Sequence, residues 1–328
     1  LFLFAAMMKS AIIPFHHWLP YTSEGPTPVS ALMHAGVVNV GGILLNKIAF
    51  LLLLTPAVLN VAFVMGLITA VFASILMLAV SDIKRSLGYS TVGQMGYMIM
   101  EVGLGAFSLA IYHLMVHGIF KASLFLESGS LINQARQNPN MPRRLSHELF
   151  WEEKPQYNSI NMFRMIAIFT VLPVIVFIGV KLLLGEDFFD FNMATLILAF
   201  AWLTGTQLFL SFFEVSKANS PKVILALVSS FVIVLFTYEF VGLALEHFLY
   251  GNYGALFYEV STLHISTTVT LLMLVAIMII GWYFTYKQHF VGIPTGEHKP
   301  NRFKWRIYKM LAKEGYISDM YIKYFKVF

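Results

Sequence analysis

Two histidines and a lysine recur at every fourth position within the apolar stretch 105–133: His113, His117 and Lys121. On an α-helix each step of four residues drifts by only about 40°, so the three share one stripe about 80° wide. Imidazole exchanges protons near neutrality, and an ammonium taken out of water releases its proton more readily than one in water. A row of such groups with apolar residues on every other face is therefore suited to passing protons. Packing alone does not account for it. A lysine at the centre of a membrane costs roughly 3 kcal/mol to insert, whereas a polar contact between membrane helices returns about 0.6 kcal/mol.

Other groups of the same kind lie upstream. Lys9 is followed by Pro14 and Pro20, which bracket the run FHHWL, and then by Gly25, Pro26 and Pro28. Proline at this density breaks a helix, and freed backbone at membrane depth is tolerated only inside protein or beside water. Broken helices are where transporters handle ions, which singles out Lys9. His16 and His17 sit at the break, but neighbours on a helix point about 100° apart, which disfavours a shared metal. His34 and Asn39 lie among small residues, Ala31, Ala35, Gly36, Gly41 and Gly42, the composition of a tightly packed interior helix. Ser86, Ser90, Thr91 and Gln94 are polar groups suited to holding ordered water, and Glu101 follows them in an apolar run. Glu101 is expected either to be protonated and buried or to pair with Lys9 or Lys121. Glu24, in the Pro/Gly-rich turn, reads as a solvated residue. No P-loop, GxGxxG, HExxH or nucleophile elbow is present, and with no cysteine there is no thiol chemistry.

The elements that must hold these groups are helices in a membrane. The 328 residues are 58% hydrophobic and 12% charged, far below the roughly 25% charge of soluble domains. About nine apolar segments approach spanning length: 1–20 (interrupted), 29–48, 57–80, 86–103, 106–132, 160–184, 193–213, 222–247 and 264–286. The fold class is all-α, with a broken first helix. Lys84 and Arg85 follow the third segment. Arg136, Arg143, Arg144 and Lys154 follow the fifth, Lys217 and Lys222 the seventh, and the tail holds Lys287, Lys299, Arg302, Lys304 and Arg306. The opposite loops carry Glu186, Asp187, Asp190 and Glu259, with Lys47 and Lys181 at segment ends the two exceptions. This asymmetry predicts a cytoplasmic C-terminus. The net charge of +5 is thereby accounted for without nucleic acid. The expected organisation is a transmembrane domain over 1–286, with a polar loop at about 134–159, and a basic aromatic tail over 287–328. The chain begins at Leu1 and its first apolar run is short, so it reads as the C-terminal part of a longer protein.

Three runs together are recognisable: KSAIIPFHHWLPYTSEGPTPVSALMHAGVVNVGG from Lys9, SDIKRSLGYSTVGQMGYM from Ser81, and HLMVHGIFKASLFLESGS from His113. They resemble, in order, the proton-conducting membrane subunits shared by NADH:quinone oxidoreductase (complex I) and Mrp-type sodium/proton antiporters. The resemblance implies an antiporter-like helical bundle. It also implies a proton path through Lys9, His34, His113, His117 and Lys121; Glu101 and Lys181 are possible further members by their positions alone. Within the family the run SALMHAGVVNVGG is similar to that of DabB-type subunits of inorganic carbon transporters, where respiratory subunits read SALIHAATMVTAG. A second broken helix with a GFFSKDE-like lysine is absent, and the flanks of Lys181, FIGVKLLLGE, do not match that pattern. The DabB likeness implies a cytoplasmic, carbonic-anhydrase-like partner, DabA, which would hold the zinc, and no cofactor or metal in this chain. The respiratory alternative implies a translocase subunit among other complex I membrane subunits. The Mrp alternative implies cation/proton exchange.

Overall fold

The computed structural model describes residues 1–80, 82–137, 179, 221–260, 306, 309–311, 313–316 and 323. Every regular element among them is helical. Helices Thr27–Lys47, Pro56–Met77 and Phe107–Ser130 are long and apolar enough to cross a membrane. The expected spans at 160–184, 193–213 and 264–286, the loop from 138 onward, Lys181 and most of the tail lie outside the described residues.

The chain divides into two compact units: Leu1–Pro139 with Leu245–Leu263 and Pro294–Phe328, and Asn140–Ala244 with His264–Ile293. The first span is broken where the prolines predict it. Helix α1 (Phe2–Lys9) stops, Ala11 adopts a left-handed φ of 54°, and a short α2 (Trp18–Tyr21) runs into a 3-10 turn, Thr22–Glu24. The second span, read from its apolar run as one helix over 29–48, is also interrupted. Helix α3 (Thr27–Ala35) ends at Gly36, whose φ −122° and ψ −65° leave the helical basin; a 3-10 turn, Val37–Asn39, leads into α4 (Val40–Lys47). The two breaks satisfy one another. Ser10 Oγ donates to the Val38 carbonyl at 2.7 Å, deep inside the unit, and Asn39 Nδ2 donates to the Ala35 carbonyl freed by the interruption, at 2.7 Å. Backbone groups released in a membrane must find such partners internally. Gly41 permits the approach, since a Cβ there would strike the Ser10 hydroxyl and the Ala6 carbonyl.

After a short α5 (Ala49–Leu53), α6 (Pro56–Ala79) and α7 (Ile83–Gly103) form an antiparallel pair. Asp82 caps α7 by accepting from the Arg85 N–H at 2.8 Å. The pair packs through glycine: a Cβ on Gly96 would meet Ala70 N and Gly66 O, and one on Gly103 would meet Phe63 N. Small residues at such contacts let two backbones close on each other, which is how dispersion and backbone contacts hold membrane helices together. Helix α8 (Phe107–Gln137) lies antiparallel to α3, with Gly118 against the Ala35 carbonyl and Gly129 against Thr27. At the other end of α8, Asn46 Nδ2 donates to the Phe107 carbonyl at 2.6 Å, and Asn46 Oδ1 accepts from the Tyr250 hydroxyl. Tyr250 closes helix α9 (Pro221–Tyr250), and its ring packs with Phe257 of α10 (Gly254–Val260), 4.6 Å between centroids. Apart from Gly179, the described part of the second unit is α9 up to Ala244, on which the Phe236 and Phe240 rings stack at 6.2 Å.

Candidate functional site

The His113–His117–Lys121 stripe lies against α3 and α7, with His117 and Lys121 buried and His113 half-buried. His113 stands between two oxygens of α7: its Nδ1 is 3.1 Å from Glu101 Oε2 and its Nε2 is 2.8 Å from Gln94 Oε1. The Tyr97 ring lies 5.3 Å away and the His117 ring, one turn along α8, 6.2 Å away. Glu101 is fully buried, and its second oxygen has no hydrogen-bond partner among the described residues. The sequence alternatives leave this carboxyl buried and protonated or pair it with Lys9 or Lys121; in the structure it is buried, and its partner is His113.

His117 is 4% exposed, and neither of its ring nitrogens has a hydrogen-bond partner among the described residues. It lies within electrostatic range of His113, Lys121 and His34. Lys121, 1% exposed, donates from Nζ to the Leu87 carbonyl at 3.3 Å. A carboxylate partner would lock the ammonium in its charged form; a carbonyl orients it without doing so. His34 is fully buried, stacked on the Phe125 ring at 4.4 Å, with Nε2 3.5 Å from Thr22 Oγ1. Gly118 and Gly88 allow this convergence, because a Cβ on either would crowd Ala35 or Pro20. The result is a series of titratable groups drawn from three helices, with His34, Lys121, His117 and Glu101 buried and His113 half-buried between them.

Near Thr22 the broken span opens into a charged mouth. Arg85 Nη2 pairs with Glu24 at 2.7 Å, its guanidinium lies 4.7 Å over the Tyr21 ring, and Lys84 donates to the Gly25 carbonyl at 2.8 Å. Glu24 is thus both solvated and paired. Glu314, from the tail, accepts from the Tyr21 hydroxyl at 3.2 Å and lies 3.8 Å from Arg85. Composition marks the tail only as basic and aromatic, and the return of its buried Glu314 to residues 21–85 is a long-range contact without a local signature.

Lys9 is placed apart from the series. It occupies the last turn of α1 on an exposed face, one residue past Met8, whose carbonyl accepts from Trp18 Nε1 at 3.3 Å. His16 is buried, 6.1 Å from the Phe72 ring, whereas His17 stacks on Tyr21 at 4.7 Å, so the adjacent histidines face different surroundings. Two contributors went unassigned in the sequence reading: Phe125, indistinguishable there from any apolar residue, and the Leu87 carbonyl, which no residue type announces.

Residues 1–208 match the family described as NADH:quinone oxidoreductase/Mrp antiporter, transmembrane. The chain is 38% identical over 320 residues, 97% of its length, to the probable inorganic carbon transporter subunit DabB1 of Halothiobacillus neapolitanus. It covers 57% of that relative, and so spans little more than half its length. It is 44% identical over 151 residues, 46% of the chain and 27% of the relative, to the probable subunit DabB2 of the same organism. To NADH-quinone oxidoreductase subunit L of Buchnera aphidicola it is 47% identical over 140 residues, 42% of the chain and 23% of that protein.

Proposed function

Since the chain belongs to the NADH:quinone oxidoreductase/Mrp antiporter membrane family, we propose that it conducts protons to drive accumulation of inorganic carbon, as bicarbonate or CO2. The observation that carries proton conduction is the series His34, Lys121, His117, His113 and Glu101, all titratable side chains and all but the half-buried His113 buried, in which the lysine has no buried counter-charge among the described residues. Its cost in a membrane is repaid only by use. The likeness to DabB1 along 97% of the chain supports the carbon branch. In this reading the chain is a multi-pass subunit of about nine spans in the cell membrane, with a transmembrane domain over 1–286 and a cytoplasmic tail over 287–328. A cytoplasmic DabA-like partner holds the zinc. Lys9 serves as a protonatable centre at the first break and Lys181 as a possible exit residue.

A second reading, a proton-pumping subunit of an NADH:quinone oxidoreductase, is favoured by the 47% identity with subunit L. The Mrp-type cation/proton exchanger is the third branch of the same family. Labelled bicarbonate uptake in cells expressing the full-length protein with its cytoplasmic partner separates them. Uptake that requires both chains and collapses with an uncoupler is expected. Stable membrane expression without uptake sinks the carbon branch, and copurification with quinone-reducing activity or sodium-dependent proton movement then assigns one of the others.

A further inference from the structure

An imidazole always carries a hydrogen on at least one nitrogen, and the group facing each nitrogen decides which one. His113 faces two oxygens, Gln94 Oε1 at 2.8 Å from Nε2 and Glu101 Oε2 at 3.1 Å from Nδ1. An amide oxygen only accepts, so the Gln94 contact is a hydrogen bond only when Nε2 bears hydrogen. The Glu101 carboxyl, by contrast, either donates or accepts according to its protonation.

We propose that Gln94 is a positioning residue that holds His113 in its Nε2–H form and so confines the exchangeable proton to the edge facing Glu101. This rests on the proton-path reading of His113. Two arrangements are then open to the pair. Glu101 carries the proton and donates O–H to a bare Nδ1, or the O–H bond breaks, the N–H bond forms, and an imidazolium donates to a carboxylate. One proton moves along one line, and the pair is neutral before and after. That neutrality matters at a fully buried carboxyl, where an isolated charge is heavily penalised. Without the Gln94 oxygen, the neutral ring is free to place its hydrogen on Nδ1. Its basic nitrogen would then face away from Glu101, and the proton handed along α8 would have no acceptor there. The other titratable groups facing the ring are Tyr97 on α7 and His117 on α8.

Gln94 lies at the exposed edge of α7, so its replacement leaves no core cavity. The test is solid-state nitrogen NMR of the full-length protein in lipid with isotope-labelled histidine, the His113 signals being assigned by their loss in His113→Gln. The native protein should show His113 as Nε2–H. Gln94→Leu should redistribute it toward Nδ1–H, and Gln94→Glu, which keeps an oxygen acceptor at the same reach, should restore Nε2–H. An Nδ1–H ring in the native protein, or an unchanged tautomer in Gln94→Leu, overturns the proposal. Proton-coupled uptake should fall about tenfold or more in Gln94→Leu, taking as a guide the loss seen when the partner that orients a metal-ligating histidine is removed. A shifted tautomer with unaltered uptake would remove His113 from the path while leaving Gln94's positioning role standing.

Discussion

Lys121 illustrates how a single residue carries the argument. The residue is 1% exposed and its ammonium rests on the Leu87 carbonyl, with His117 and His34 in electrostatic range. Lys121→Ala exchanges an expensive polar group for an apolar one, so the variant should insert and accumulate in the membrane as well as the native protein. Coupled transport should nevertheless be abolished. Lys121→Arg should fail as well, because a guanidinium stays protonated through any physiological cycle and its planar fork does not fit a point-charge site. Uptake measured beside membrane abundance checks both; normal transport in Lys121→Ala would exclude a relay. The stripe itself was legible, because helical periodicity is local. The carbonyl beneath the ammonium was not, because main chain carries no sequence signature.

At the scale of elements, the α6–α7 pair is held by backbones in near contact. A Cβ on Gly96 would fall against Ala70 N and Gly66 O, both main-chain atoms unable to rotate away. Gly96→Val must therefore push the helices apart, an overpacking cost of about 1–3 kcal/mol. A lowered thermal unfolding midpoint of the purified full-length protein is the expected result, with transport falling in parallel because α7 supplies Gln94 and Glu101. An unchanged midpoint would show that the helices do not approach this closely. The prolines made the first break legible. The second break was masked by an unbroken apolar run, since Gly36 and Asn39 are also ordinary members of a packed helix, and only Ser10 opposite Val38 marks them as an interruption.

At the scale of the whole chain, the tail returns to the start. Tyr21 and Glu314 are separated by 293 residues, yet the phenol donates to the carboxylate at 3.2 Å with Arg85 alongside. These 328 residues hold no cysteine, so Tyr21→Cys combined with Glu314→Cys, with any cysteine elsewhere in the full-length protein replaced by serine, gives a clean pair for a short thiol-reactive crosslinker. The double variant of the full-length protein should crosslink within one chain, and neither single variant should; absence of the crosslink in a folded, inserted protein would place the tail elsewhere. The sequence by itself determined the membrane character, the helical class, the broken first span and the shared stripe of His113, His117 and Lys121. Each of these depends on hydropathy or on repeats within a few residues. Only the tertiary structure decided that Glu101 faces His113 rather than a lysine, that Gln94 takes the ring's other nitrogen, that His34 closes on Lys121 and that Glu314 reaches Arg85. Those pairings depend on which helices touch and how closely, and around His34 and Lys121 the approach is admitted by glycines at positions 88 and 118, whose importance is apparent only once another backbone lies against them.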